Sequence, residues 1–246
     1  MYRDRIELKC ERPIYEMTTM VPSRNRTSAS QVYLLIALLC GIAGAVDALA
    51  YLQLGKLFVA NLTGNTVLFA YHAAEHHWIL AAERLALIVG FFSGVVTDRL
   101  LRRWIESDRL LMRPSMASLA IECSVLCVLA FLSVRGYLRM TLLITLAWTM
   151  GLQNDAFQKI GPVSLNTTFL TGDIEKLGSI LASPPAYGSK ERQRREKIIA
   201  FATTWIAYGS GAVIGAVGGH AFGTRALLIP AAMTAIVFAI QWRITE

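Results

Sequence analysis

The tripeptide Leu-Thr-Gly occurs twice in this chain of 246 residues, and each copy follows an Asp-Ala pair at the same distance. The copies are 62–64 and 170–172, and the pairs begin at Asp47 and Asp155. A duplication of this kind indicates an internal repeat, so the two halves are expected to share one local structure. The duplicated positions hold most of the polar residues of an otherwise apolar chain. Polar groups repeated inside lipid are typical of functional sites.

Composition places the chain in a membrane. It is 54% hydrophobic with a mean hydropathy of +0.47, and its apolar runs reach the roughly 20 residues that cross a bilayer. The net charge of +7 comes from short basic clusters between those runs. These clusters lack the aromatic interleaving of nucleic-acid motifs, so the lipid bilayer is the expected partner and nucleic acid is not. The first thirty residues are too charged for a secretory signal, and we expect a disordered cytoplasmic tail or a partly misassigned start.

Eight segments have membrane character, near 31–54, 57–73, 80–101, 115–134, 139–160, 165–182, 197–219 and 225–243. The second and sixth segments contain the Leu-Thr-Gly motifs, and both are short. The basic N-terminal tail and the basic loops around 99–113 and 190–197 are all expected in the cytoplasm. These three regions share one side of the membrane only if neither motif segment crosses it fully.

We therefore predict an all-α integral membrane protein with about six transmembrane helices and cytoplasmic N- and C-termini. The spans form two inverted three-span repeats over residues 31–134 and 139–243, each with a broken or re-entrant motif helix. Because three is an odd number, the repeats lie upside down relative to each other, and the motif segments enter from opposite faces to meet near the midplane. This plan recurs among transporters. Irregular backbone at that depth is tolerated only when it is buried in protein or lines a wet cavity.

Asp47 and Asp155 are predicted to lie well inside equivalent spans. An ionised carboxylate near the bilayer centre costs a helix roughly 2.5–3.5 kcal/mol on insertion scales, so two at matched positions need an explanation. Two explanations stay open. Either the carboxylates have a functional role, as proton or cation sites or in orienting the motif segments, or each caps the break in its own half by accepting backbone N–H bonds from the following segment.

The two motifs gather hydroxyl and amide groups around one glycine each. Such groups can replace the hydration shell of a solute, and glycine permits a close backbone approach or a helix break. The alternative is ordinary helix packing, for which small and polar residues also serve in membranes. The predicted solute-binding or coupling residues are Asp47, Asn61, Thr63, Gly64, Asn65, Thr66, Asn154, Asp155, Thr167, Thr168, Thr171, Gly172 and Asp173.

Three other features are weaker. Glu122 lies in the middle of the fourth segment and is either a relay group or a hydrogen-bonding partner of a neighbouring helix. The stretch 72–76 fits the H-x-x-E-H zinc pattern, but it lies at a segment end without an obvious third ligand, so a solvated cluster is favoured. Cys123 and Cys127 are predicted to be packing residues. We expect no metal, no cofactor and no enzymatic activity.

The stretches 44–48 and 58–66, repeated in altered form at 151–156 and 167–172, resemble the YoaK family of bacterial membrane proteins. The resemblance covers most of the chain after the tail. It implies a bacterial inner (plasma) membrane protein of about six spans, and it implies no activity because the family is classed as a domain of unknown function.

The sequence thus favours a small-solute membrane transporter with a polar midplane site built from the duplicated Asp-Ala and Leu-Thr-Gly motifs. The solute itself is unknown. The alternatives are a passive channel, in which the two motifs meet in one pore, and a membrane scaffold or accessory protein without transport activity. Assembly as a homo-oligomer is left open.

Overall fold

A computed structural model describes residues 29–107, 113–132, 138–160, 163–164, 168, 170–184 and 187–245. The predicted tail lies outside these residues apart from its last two positions. The described residues form eight α-helices, one short pair of strands and one 3₁₀ helix. Each helix falls on one of the eight segments that hydropathy marks.

The helices are α1 (Ala29–Gln53), α2 (Leu62–Ala74), α3 (Trp78–Ser107), α4 (Pro114–Ala130), α5 (Leu138–Ala156), α6 (Leu170–Ala182), α7 (Ser189–Phe222) and α8 (Leu228–Thr245). Between α5 and α6, strand β1 (Lys159–Ile160) pairs antiparallel with β2 (Val163–Ser164). The 3₁₀ helix Gly223–Leu227 joins α7 to α8.

Within the described residues, three stretches are long and apolar enough to cross a membrane: Ser30–Gln53, Trp78–Glu106 and Lys190–Arg243. The last of these contains both α7 and α8. Helix α1 is central, with 72% of its most apolar window buried, whereas the corresponding window of α3 is only 22% buried and presents apolar side chains outward. Helices α2 and α6 have 13 residues each, which makes them about 20 Å long. Since a hydrocarbon core is about 30 Å thick, neither motif helix is long enough to span it.

Several helix boundaries differ from the hydropathy segments, and the structure gives a physical reason for the starts of α2 and α7. Helix α2 begins at Leu62 rather than near 57, because the backbone before it donates to the Asp47 side chain instead of forming helical bonds. Helix α7 begins at Ser189 rather than near 197, because its charged first turns are supported by i,i+4 ion pairs. These pairs join Glu191 to Arg195 at 3.3 Å and Arg192 to Glu196 at 3.0 Å. Hydropathy does not register a charged helical extension of this kind.

The packing of the helices follows one pattern in both halves. The principal contacts are α1 with α7, α3 with α5, α2 with α3, α6 with α7, α4 with α8, α1 with α8, and α4 with α5. Exchanging the first four helices for the last four returns the same set of pairs: the α4–α8 pair maps onto itself, and each of the others maps onto a partner pair. Helices α1 and α5 run antiparallel, because Arg139 donates to the Leu54 carbonyl at 3.0 Å while Gln153 donates to the Leu39 carbonyl at 3.1 Å.

Glycines allow the backbones to touch where α1 crosses α7. A Cβ at Gly44 would collide with the backbone of Tyr208, and one at Gly211 would collide with the backbone of Gly41. Small residues at such crossings are typical of helix association in membranes. The α3–α5 crossing has the same reciprocal contacts, with Gly94 against Trp148 and Gly151 against Phe91.

Candidate functional site

The Asp47 side chain organises the turn between α1 and α2. It is 2% exposed, and its Oδ1 accepts the N–H groups of Val59 and Ala60, both at 2.7 Å. Its Oδ2 accepts the N–H of Asn61 at 3.1 Å. These donors come immediately before α2, where the first N–H groups of a helix lack helical partners. The carboxylate therefore fixes the chain that enters the motif helix.

A fourth donor reaches the same carboxylate from α7. The Tyr208 hydroxyl donates to Oδ2 of Asp47 at 2.5 Å and links α7 to α1. Each oxygen of Asp47 thus accepts two hydrogen bonds, which matches the acceptor capacity of an ionised carboxylate. This geometry is that of a cap, the second of the two roles that the sequence leaves open for Asp47.

An open cavity of about 400 Å³ lies beside this carboxylate. Its volume falls within the range of small-molecule sites. The rings of Tyr51 and Phe58 stack in its wall with centroids 5.3 Å apart. The lining is almost wholly apolar, and it includes the Asp47 and Tyr208 side chains, which are hydrogen-bonded to each other. The lining residues are Gly44, Asp47, Ala48, Tyr51, Leu52, Phe58, Tyr208, Ala212, Val213 and Ala216.

The remaining predicted residues of the first motif surround the turn rather than the cavity. Asn65 is fully buried, and its side-chain amide donates to the Phe58 carbonyl at 2.6 Å, which holds the buried backbone against α2. Thr66 bonds within its own helix, to the carbonyl of Leu62. Asn61 and Thr63 are exposed, and Gly64 is half-buried.

The second half uses a different residue at the matched place. The Asn154 side-chain oxygen accepts a hydrogen bond from Thr168 at 3.0 Å, just before α6. Asn154 lies about one turn after Gly151, as Asp47 lies about one turn after Gly44, and these two glycines make equivalent crossings. The sequence repeat aligns Asp47 with Asp155. The equivalent glycine crossings instead align Asp47 with Asn154. The predicted Thr167 lies outside the described residues.

Asp155 belongs instead to an ionic cluster at the end of α5. It pairs with the guanidinium of Arg99 at 2.7 Å, and its other oxygen accepts from Gln158 at 2.7 Å. Next to Arg99 on α3, Asp98 accepts the Ser118 hydroxyl at 2.5 Å and pairs with Arg102 at 3.1 Å. The cluster thus ties α3, α4 and α5 together. Partners of this kind identify Asp155 as part of an interhelical ion-pair network.

The second motif is anchored to α7. Asp173 is fully buried and pairs with Lys176 at 3.2 Å, and the Lys176 ammonium lies 5.5 Å from the ring centroid of Phe201 on α7. Thr171 is exposed, and a Cβ at Gly172 would meet nothing within 4 Å. Of the predicted site residues within the described ranges, the cavity beside Asp47 is lined by Asp47 and by none of the others.

The sequence comparisons agree with this membrane bundle. Residues 35–240 match the family model described as "Protein of unknown function (DUF1275)". The chain belongs to the DUF1275 family. It is 31% identical over 192 residues to the UPF0700 transmembrane protein YoaK of Bacillus subtilis (strain 168), an alignment that covers 76% of this chain and 84% of that protein. The predicted YoaK family is confirmed, and the chain is a membrane protein. No solved structure matches it.

In this DUF1275 protein, sequence reasoning missed Tyr208, which completes the site beside Asp47, and Arg99, which pairs with Asp155 in the ionic cluster. Tyr208 precedes a Ser-Gly pair that resembles residues 93–94, but the first half carries Phe91 at the place of Tyr208. Because the two halves differ at this position, comparing them does not mark Tyr208 as a site residue. Arg99 counts only as loop charge in the sequence, and the short spacing to Asp98 is its one hint of a role in a network.

Proposed function

We propose that this DUF1275 protein transports a small solute across the membrane and that the cavity beside Asp47 is its binding site. The turn from Leu57 to Asn61 is the observation that carries the proposal. Its Leu57, Val59 and Ala60 are at most 1% exposed, yet the backbone there is not helical. Buried irregular backbone at the start of a short helix, opening on a cavity, is the arrangement of broken helices in transporters.

We propose further that the two halves are inverted repeats. Three features support this: the helix pairs exchange under a swap of the halves, α1 and α5 run antiparallel, and the glycine crossings are reciprocal. Helices α2 and α6 are each too short to cross. Under this proposal the motif helices approach from opposite faces of the bilayer.

The proposed orientation follows from charge. Helices α1 and α7 are parallel, since Gly41 meets Gly211 and Gln53 donates to the Gly219 carbonyl at 2.9 Å. The basic start of α7 therefore lies at the same end as the start of α1. Because basic segments favour the cytoplasmic side, we propose that the N-terminus lies in the cytoplasm of a bacterial cell. With the even number of spans that we propose, the C-terminus lies there as well.

The chemistry of the cavity defines the solute class. Asp47 has no acceptor capacity left for a ligand, because four donors already occupy its oxygens. The stacked Tyr51 and Phe58 rings present flat apolar surface. A small and mainly apolar solute with one hydrogen-bonding group, aimed at the oxygen of Tyr208, fits this lining best.

A ligand screen tests the proposal. Purified protein is heated with each member of a panel of small aromatic and aliphatic alcohols, acids and amines, since a compound that binds the native state raises the melting temperature. Val213→Trp fills the mouth of the cavity, and Val217→Trp is the matched control one turn along the same exposed face. We expect a compound that stabilises the wild type and Val217→Trp but not Val213→Trp. If every compound that raises the melting temperature of the wild type also raises that of Val213→Trp, the cavity is not the binding site.

Uptake of that compound into proteoliposomes then separates the classes of function. Saturable uptake that Val213→Trp abolishes is the expected result. Uptake that rises linearly with concentration indicates a passive channel, and binding without uptake indicates a scaffold.

A further inference from the structure

Glu122 is the most unusual ionisable residue of the bundle. It lies in the middle of α4 and is fully buried. Neither of its carboxyl oxygens has a hydrogen-bond partner among the residues that the structure describes. On the same face of α4, Leu119 and Leu126 flank it and belong to the apolar core.

The other buried carboxyls at the helix breaks differ from Glu122 in their partners. Asp47 accepts four hydrogen bonds, and Asp155 faces the guanidinium of Arg99. An ionised carboxylate buried without donors costs several kcal/mol, and a charge inside the hydrocarbon region of a membrane is costly as well. A bound proton removes the charge and with it most of the cost.

Among the residues that the structure describes, the helices around Glu122 offer no compensating charge. Helix α4 packs on α3, α5, α8 and the 3₁₀ helix, and the nearest titratable group on α4 is Cys123, whose thiol donates to the Ala231 carbonyl at 3.5 Å. The charged groups on the packed elements are exposed or engaged elsewhere: Asp98 with Arg102, Asp155 with Arg99, Arg139 with Glu83, Arg84 with the Lys56 carbonyl, and Arg103, Glu106, Arg225 and Arg243 at the surface.

We propose that Glu122 is a proton-binding site and that its proton is the ion coupled to transport. The second clause rests on the proposed function, whereas the first does not. The assignment moves the coupling role from Asp47 and Asp155, which the sequence suggests, to a residue on α4. Asp47 keeps its four donors as a cap, and Glu122 is neutral in the folded protein.

A polar route leads from this site toward one end of the bundle. Ser118 lies one turn before Glu122 on the same face of α4, and its hydroxyl donates to Asp98 at 2.5 Å. Asp98 pairs with Arg102, which is only partly buried. A proton that leaves Glu122 toward Ser118 therefore reaches polar groups within one helical turn.

Infrared difference spectroscopy on protein in lipid nanodiscs tests proton binding. The difference spectrum of the wild type minus Glu122→Gln, recorded at neutral pH, is expected to show the carbonyl stretch of one protonated carboxyl. The matched control Glu106→Gln removes an exposed glutamate of α3 and is expected to show no such band. If the wild-type minus Glu122→Gln spectrum shows no protonated-carboxyl band, the proposal is wrong. Should Glu122→Gln fail to fold, Glu122→Asp keeps the acid and is expected to shift the band instead.

Uptake of the compound found in the ligand screen, driven by a pH gradient across proteoliposomes, tests coupling. We expect Glu122→Gln to keep the thermal shift with that compound and to lose gradient-driven uptake. Gradient-driven uptake equal to that of the wild type overturns the coupling role. Absence of uptake by the wild type removes the proposed function, while the infrared band still decides whether Glu122 holds a proton.

Discussion

Replacing Asp47 by asparagine tests whether this carboxylate holds the turn before α2. Asparagine keeps the shape but offers one acceptor oxygen in place of two. That oxygen can still accept from Val59 and Ala60, whose N–H groups lie 2.7 Å from Oδ1. The Asn61 N–H, at 3.1 Å from Oδ2, loses its acceptor, and the Tyr208 hydroxyl must reverse its hydrogen to accept from the new amide.

The expected loss of stability follows from these bonds. The Asn61 N–H is only part-buried, so leaving it without an acceptor costs about 1 kcal/mol, and the bonds from Val59 and Ala60 each lose about 1 kcal/mol when the charge is removed. Together these terms predict that Asp47→Asn lowers the free energy of unfolding by roughly 3 kcal/mol. Tyr208→Phe removes one charge-assisted bond and is expected to cost about 1.5–3 kcal/mol. The double variant should lose less than the sum, because both changes remove the same bond.

Denaturant unfolding in a fixed detergent, followed by tryptophan fluorescence, measures these differences. Thr168→Val is the control, since it removes one neutral bond to Asn154 in the other half and is expected to cost about 0.5–1.5 kcal/mol. An Asp47→Asn protein that unfolds no more easily than Thr168→Val would refute the capping role of Asp47.

Three further predictions concern helix packing and charge. Gly211→Ala forces a Cβ into the backbone of α1 and should lower the free energy of unfolding by about 1–3 kcal/mol in the same assay. Gly209→Ala is its control, because a Cβ there meets nothing within 4 Å, and it should be neutral or stabilising by up to about 1 kcal/mol. Asp155→Asn weakens a pair whose Arg99 side chain is 55% exposed, so unfolding should shift by no more than about 1 kcal/mol. Arg194→Ala removes the donors to the last carbonyls of α6 and should speed proteolysis there, and an unchanged cleavage rate would contradict that role.

The helices themselves are readable from the sequence because each is an apolar run of sufficient length. The start of α2 is not readable from hydropathy, because the apolar run continues through residues 57–60 while their backbone donates to the Asp47 side chain. The charged start of α7 is not readable either, because ion pairs along a helix stabilise it without leaving a hydropathy signal.

The details of the site depend on contacts that no local pattern contains. Tyr208 reaches Asp47 only because Gly44 and Gly211 let α1 and α7 touch. The shift from Asp155 to Asn154 is a matter of one residue, which turns a side chain by about 100° around a helix. A sequence match anchored on the aspartates therefore selects the wrong partner, although it finds the right turn of α5.

Cysteine accessibility on either side of the membrane tests the inverted arrangement most directly. Ala74 ends α2 and Tyr187 lies just before α7, and both positions are exposed. Single cysteines at these positions, in a background without native cysteines, are treated in inverted and right-side-out vesicles with a membrane-impermeant maleimide. Labelling of 74 and 187 from opposite aqueous compartments is predicted. Labelling of both from the same compartment would contradict the inverted repeats.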